Sequence, residues 1–233
     1  MAALPTLVFP GLDGSVEMLT EFAAAVPPEF DVRLQPLPPQ MAGYDDLVEH
    51  FDATIRETGP CAIVAESFSG PLAVQLAHAH PEQVALLTLV ASFVASPRPY
   101  LLRAVPWRLV MRMPLPNAAA RRMMLGSDAT REQVASLQQV LRRADPAVLG
   151  GRLREVARVD VTNRWRELRC PALCLAARRD RLLATHDANA LIAANPHAQA
   201  ATIDGSHLLL ATRPTECWRE IVRFANQHQP ASQ

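Results

Sequence analysis

Ser67, Asp180 and His207 are the residues whose types could do covalent chemistry together, and each stands just past an apolar run: Cys61 to Ala65, Ala172 to Ala176 and Ala198 to Ile203. A serine hydroxyl is a weak nucleophile near neutral pH. A histidine that takes its proton, and an acid that orients the histidine, convert it into one that attacks acyl carbon. The local context of Ser67 suits that role. Cys61 to Ala65 reads as a buried strand, Glu66-Ser67-Phe68 must turn sharply, and a helix starts at Gly70. A serine at the tip of such a turn, with small residues two before and two after it (Ala65 and Ser69), fits a loose form of the G-x-S-x-G elbow. The competing role for Ser67 is to cap the following helix. Ser69 is a weaker nucleophile candidate, because an elbow centred on it would need a small flexible residue where Pro71 stands. Asp204 is a weaker acid candidate, only three residues from His207 and suited to shaping the turn.

Positioning three such groups requires strands that end on one edge. Short apolar runs at Thr6 to Phe9, Asp31 to Leu37, Cys61 to Ala65, Val84 to Ala91, Ala172 to Ala176 and Ala198 to Ile203 predict strands. Between them, Val16 to Val26, Tyr44 to Thr58, Gly70 to Ala79 and Thr185 to Ala194 predict helices, and Thr215 to Gln227 predicts the last one. In Tyr44 to Thr58, Leu47, Phe51 and Ile55 recur one turn apart on one face. The alternation predicts an α/β fold, a mostly parallel doubly wound sheet of about six strands. The carboxyl edge of such a sheet is where ligands bind, and all three residues fall there. After Ser92 the rhythm changes. Pro97, Pro99 and Pro106 interrupt the chain, and helices are predicted over Leu101–Met113, Ala118–Leu125, Arg131–Ala144 and Ala147–Val159. We therefore expect an α/β core of residues 1–95 and 170–233, with a helical cap inserted at 96–169. Leu101, Leu102, Trp107, Leu109, Met111, Met113, Met123 and Met124 either roof an apolar pocket or pack the cap on the core; packing is the default for most of them.

Composition removes whole classes of function. The 23 basic residues are all arginine, which excludes lysine nucleophiles, Schiff bases and the lysine-bearing phosphate loop. No apolar run is long enough to span a bilayer, and the N-terminus carries no basic-then-apolar leader pattern. Cys61, Cys170, Cys174 and Cys217 lack metal-ligand spacing and read as thiols of a reducing, cytoplasmic compartment. No metal site is expected. Net charge is zero but uneven: from Pro97 to Arg169, 15 arginines face six acidic residues. This surplus either glues the cap to an acidic core or steers an anionic partner, such as an acyl carrier protein or a coenzyme A ester. No nucleic-acid motif accompanies it. His50, His78, His80, His186, His197 and His228 read as surface residues, and Asp13 as a turn former with Gly14.

Four segments in chain order resemble the α/β-hydrolase fold superfamily. Phe9-Pro10-Gly11-Leu12-Asp13-Gly14 resembles its oxyanion loop, and Ala65 to Gly70 its elbow. Pro171 to Asp180 resembles the strand that carries the acid, and Asp204-Gly205-Ser206-His207 the histidine loop. The order serine, acid, histidine is that of the family. Pro10 stands where the family often has histidine, Ala65 replaces the first elbow glycine, and the first two strands of the full fold are not represented. The resemblance implies Ser67 as nucleophile, His207 as general base and Asp180 as its partner. It implies an oxyanion hole from the backbone N–H groups of Leu12 and Phe68, with Leu12, Phe68 and Leu208 flanking the substrate. It implies a serine hydrolase, without cofactor, that cleaves a small-molecule carboxylic ester with an apolar acyl group through an acyl-enzyme. The alternatives are an acyl thioesterase or acyl-carrier-protein methyl ester esterase using the basic cap, and a non-catalytic binding protein on this fold.

Overall fold

A computed structural model describes residues 3–97, 105, 117–127, 129–183 and 186–228. Strands β1 (Leu4–Phe9), β2 (Phe30–Leu34), β3 (Cys61–Glu66), β4 (Val84–Val90), β5 (Ala172–Ala177) and β6 (Ala198–Ile203) form one sheet in the order β2-β1-β3-β4-β5-β6. Every neighbouring pair is parallel. The described helices are α1 (Thr20–Ala24), α2 (Tyr44–Thr58), α3 (Ser69–Ala79), α4 (Asn117–Ala120), α5 (Arg131–Arg143), α6 (Pro146–Val156), α7 (Thr162–Glu167), α8 (His186–Ala194), α9 (Leu209–Thr212) and α10 (Pro214–His228). Glu17–Leu19 forms a 3-10 turn ahead of α1, and Arg121–Leu125 a π-helical turn after α4. None of the described helices is long and apolar enough to cross a membrane. The helix expected at Leu101–Met113, with Trp107, lies outside the described residues.

Side chains alternate across a strand, and the core divides accordingly. Leu7, Phe9, Ile63, Ala65, Leu87 and Leu89 face α2, α3 and α7. Val8, Ala62, Val64, Leu86 and Val90 face α1 and α10 on the other side. β3 is buried at all six positions, as a central parallel strand with both faces covered must be. Trp218 of α10 stacks on Phe22 of α1 at 4.4 Å between centroids, and its indole N–H donates to the Phe22 carbonyl at 2.8 Å.

Several elements differ from expectation. β2 stops at Leu34, because Pro36 cannot donate to a ladder; Gln35 N–H still reaches the Val8 carbonyl at 2.9 Å. The first helix is shortened to a 3-10 turn plus five residues, ending ahead of Pro27 and Pro28. Within the segment expected as the cap, residues near its two ends pair with each other. Ser96 N–H donates to Val159 O at 2.9 Å and Val161 N–H to Val94 O at 2.8 Å, around an isolated bridge between Ala95 and Asp160. Beyond this neck, Val161, Trp165 and Leu168 belong to the main core. The fully buried Trp165 donates its indole N–H to Leu191 O at 2.9 Å. α7 escaped the periodicity because it is six residues long and its side chains are mostly polar. His80 is only 8% exposed and shares a 2.8 Å hydrogen bond with Asp52, so it is a buried helix-end residue and not a surface one.

Candidate active site

The strand order reverses between β1 and β3, with β2 outside β1. A crevice opens at the carboxyl ends of strands at such a switch point. The loop after β1 and the turn after β3 both lie there.

Ser67 occupies the left-handed region at φ +53°, a costly conformation for a residue with a Cβ that persists only when its surroundings hold it. Here three hydrogen bonds do so. Ser67 N–H donates to Val90 O at 2.9 Å, while Ser67 O accepts from Gly70 N–H at 3.1 Å and from the Ser92 hydroxyl at 2.6 Å. The turn demands a glycine three residues on, since a Cβ at Gly70 would collide with the Ser92 side chain. α3 starts with no side-chain cap, so Ser67 does not serve as one. Its Oγ lies 2.8 Å from His207 Nε2. Ser69 is fully buried, with its hydroxyl donating to Pro10 O at 2.5 Å; it clamps the elbow to the β1 loop.

His207 follows β6 and is nearly fully buried. Its Nδ1 lies 2.8 Å from Asp180 Oδ2. The other carboxylate oxygen of Asp180 accepts the N–H groups of Leu182 and Leu183 at 2.8 and 2.9 Å. Burial pushes the Asp180 carboxyl up, but the His207 hydrogen bond, the imidazole charge and the two N–H donors outweigh it and hold the group below its ordinary value. Asp204 points elsewhere, exposed and 3.5 Å from Arg179. The structure thus joins Asp180, His207 and Ser67 into one hydrogen-bonded relay from three separate strand ends. That arrangement can pass a proton from serine to histidine and stabilise the resulting imidazolium.

The two expected backbone donors belong to Phe68, which follows Ser67 directly, and to Leu12, which follows Gly11. A Cβ built on Gly11 would lie 4.0 Å from the Ser67 Cβ, so the loop carrying Leu12 runs against the nucleophile. Among the described residues, neither Leu12 N–H nor Phe68 N–H is used in a hydrogen bond within the protein. Gly14, at φ +80°, closes the loop by donating to Gly11 O at 3.1 Å. Asp13 accepts the backbone N–H of Ser15 at 2.9 Å and also its hydroxyl. Leu208 is buried in a small cluster with Met18, Leu125, Leu137, Val140 and Ala211, where α5 and the π turn meet the core. Its N–H donates to Met124 O at 3.0 Å.

Three residues at the site had no signal in local sequence. Glu66, 1% exposed, accepts Leu210 N–H at 3.1 Å and ties the elbow to the histidine loop. Burial pushes its carboxyl up to about 7, although the Leu210 N–H and His207 act the other way. Tyr44 stacks on Phe68 at 4.7 Å and donates its hydroxyl to Phe68 O at 2.9 Å. Arg152 of α6, 0% exposed, donates to Leu12 O, Pro38 O and Met41 O at 2.9, 2.9 and 3.1 Å. An acid before the serine, a tyrosine opening a helix and an arginine in a helix all look ordinary until tertiary packing buries them.

The fold has counterparts among known proteins. The chain is 30% identical over 209 residues to the pimeloyl-[acyl-carrier protein] methyl ester esterase of Xanthomonas campestris pv. campestris (strain B100), covering 76% of this chain and 77% of that one. Among solved structures, a thermophilic esterase from Thermogutta terrifontis superposes with a TM-score of 0.83 at 20% identity, covering 98% of this chain and 92% of that one. The enol-lactonase from Burkholderia xenovorans LB400 superposes at 0.79 and 15% identity, covering 96% and 92%. These two likenesses are of fold. The model of the alpha/beta hydrolase family matches residues 6–220, and with nearly the whole described sheet inside that span, the chain belongs to the alpha/beta hydrolase family.

Proposed function

We propose that the protein is a serine hydrolase that cleaves carboxylic esters through an acyl-enzyme. The observation that carries this is the unbroken relay of two 2.8 Å contacts, Asp180 to His207 and His207 to Ser67. Ser67 Oγ attacks the ester carbon while its proton passes to His207 Nε2. The carbonyl π bond opens, and the oxyanion is received by the N–H groups of Leu12 and Phe68. As the carbonyl re-forms, the bond to the alkoxy group breaks and Nε2 returns the proton to that oxygen. Water then repeats the cycle on the acyl-enzyme: Nε2 takes its proton, the hydroxide adds, and Ser67 Oγ leaves with the proton as the acid is released. Asp180 keeps Nδ1 protonated throughout. Leu12 and Phe68 beside the nucleophile favour an apolar acyl group, and the segment after β4, with α5 and α6, would serve as the cap. The four cysteines are free, in keeping with a cytoplasmic enzyme. The test is turnover of short and long p-nitrophenyl esters by wild type and by Ser67→Ala. Wild-type turnover that disappears in the variant is expected; no turnover by wild type would leave only a binding protein on this fold.

A second reading is favoured by a specific observation. The Xanthomonas relative is an esterase of an acyl-carrier-protein methyl ester, and this chain concentrates 15 arginines between Pro97 and Arg169. An acidic carrier presenting an ester or thioester would be steered by that charge. The reading predicts a higher kcat/KM for a carrier-linked ester than for the free methyl ester, with the advantage shrinking as salt rises. Equal, salt-independent values for the two substrates would refute it.

A further inference from the structure

Arginine is almost never fully buried unless its charge and donors are matched. Arg152 is fully buried, yet among the described residues no carboxylate lies within ion-pairing distance of it. Its guanidinium is spent on three main-chain carbonyls: Leu12 of the β1 loop, and Pro38 and Met41 of the segment after β2. Its central carbon also sits 5.7 Å from the centroid of the Phe68 ring, a cation–π contact. It therefore touches both residues whose N–H groups would receive the oxyanion, and it reaches them from α6, inside the excursion that closes at the Ala95–Asp160 neck.

Small residues make room for it. A Cβ on Gly14 would collide with the guanidinium. Gly151, beside it on α6, lets the helix approach Ala42, where an added Cβ would come within 2.6 Å. Burial lowers the pKa of Arg152, and the nearby charge of Asp13 works against that loss.

We propose that Arg152 is a positioning residue that locks the Leu12 loop and the Phe68 turn in register with Ser67, and so sets the geometry of the oxyanion hole from the inserted segment. The lock acts at defined points. Holding Leu12 O fixes the peptide that follows Leu12. The Gly14-to-Gly11 bond fixes the turn around it. The Gly11–Leu12 peptide, whose N–H would receive the oxyanion, is left little freedom. On the other side, Tyr44 holds the Phe68 carbonyl while Arg152 borders the ring. Donors held in place before the reaction cost no reorganisation when charge develops, which is what makes them effective. Arg152 itself touches neither substrate nor reacting atoms.

This inference rests on the serine-hydrolase reading of the site. The test compares wild type with Arg152→Met, which keeps an apolar stem, and Arg152→Lys, which keeps the charge but cannot fork to three carbonyls. Competent sites are counted by titration with a fluorophosphonate, so kcat is expressed per active site and misfolded protein drops out. Losing an oxyanion donor outright costs about 10²–10³ in kcat. Displacing donors should lower kcat per site at least about tenfold in both variants, with KM changing by less than kcat. A smaller fall in either variant, or a change confined to KM, would overturn the positioning role. Arg152→Lys keeps the test available if Arg152→Met does not fold. Wild type that neither titrates nor turns over ester would remove the hydrolase reading itself; active wild type with unimpaired variants would remove the role of Arg152 alone.

Discussion

Replacing Glu66 by Gln should stabilise the protein at alkaline pH and leave it nearly unchanged in mild acid. The carboxyl is buried behind the elbow, against Leu210 N–H, with its pKa pushed from 4.5 up to about 7. A raised carboxyl pKa means that the folded state binds the proton more tightly than the unfolded chain. Its effect on stability is absent below about pH 4.5, grows as pH rises towards 7, and is complete above that. Moving one carboxyl from 4.5 to about 7 costs the folded state about 3 kcal/mol at alkaline pH. Glutamine is nearly isosteric, keeps an acceptor for Leu210 N–H and never ionises, so it removes this cost. Urea unfolding at pH 5 and pH 8 is the assay. The difference between variant and wild type should be small at pH 5 and should approach about 3 kcal/mol in favour of Glu66→Gln at pH 8. Because both proteins share every other titrating group, most of the remaining pH dependence cancels. A difference that is the same at both pH values, or that favours wild type at pH 8, would refute the reasoning.

Other perturbations follow from the same contacts. Asp180→Asn keeps the shape but presents Nδ1 of His207 with an amide, favouring the wrong tautomer; kcat should fall about 10⁴-fold with the fold intact by circular dichroism. Tyr44→Phe preserves the stack on Phe68 but leaves the buried Phe68 carbonyl without its 2.9 Å donor, and should cost about 1–2 kcal/mol in urea unfolding.

The grouping of Ser67, Asp180 and His207 was legible because each follows a strand end, and strand ends are written locally. The continuous apolar run before Ser67, the run before Asp180 and the turn residues before His207 place all three on one sheet edge with no knowledge of tertiary contacts. What supports them was hidden for a physical reason. Arg152 lies between a glycine and a leucine on a short helix, where an arginine usually faces water; only the close approach permitted at Gly14 and Gly151 buries it. Glu66 is read as the variable residue of an elbow, and its partner Leu210 lies far along the chain. His80 ends α3 and looks exposed until Asp52 of α2 packs beside it. Residues 94–96 hydrogen-bond to residues 159–161, a pairing too short to leave a strand pattern. Leu208 reads as a neighbour of the substrate because it follows His207; that it shares a buried cluster with Leu137 and Val140 of α5 is set by tertiary packing and has no local signal.

Covalent labelling tests the central claim most directly. Wild type and Ser67→Ala are incubated with a fluorophosphonate, and the adduct is located by intact mass and peptide mapping. The relay from Asp180 through His207 predicts one adduct per chain of wild type, on Ser67, and none on the variant. Labelling of Ser69 or another serine, or no labelling of folded wild type, would contradict it.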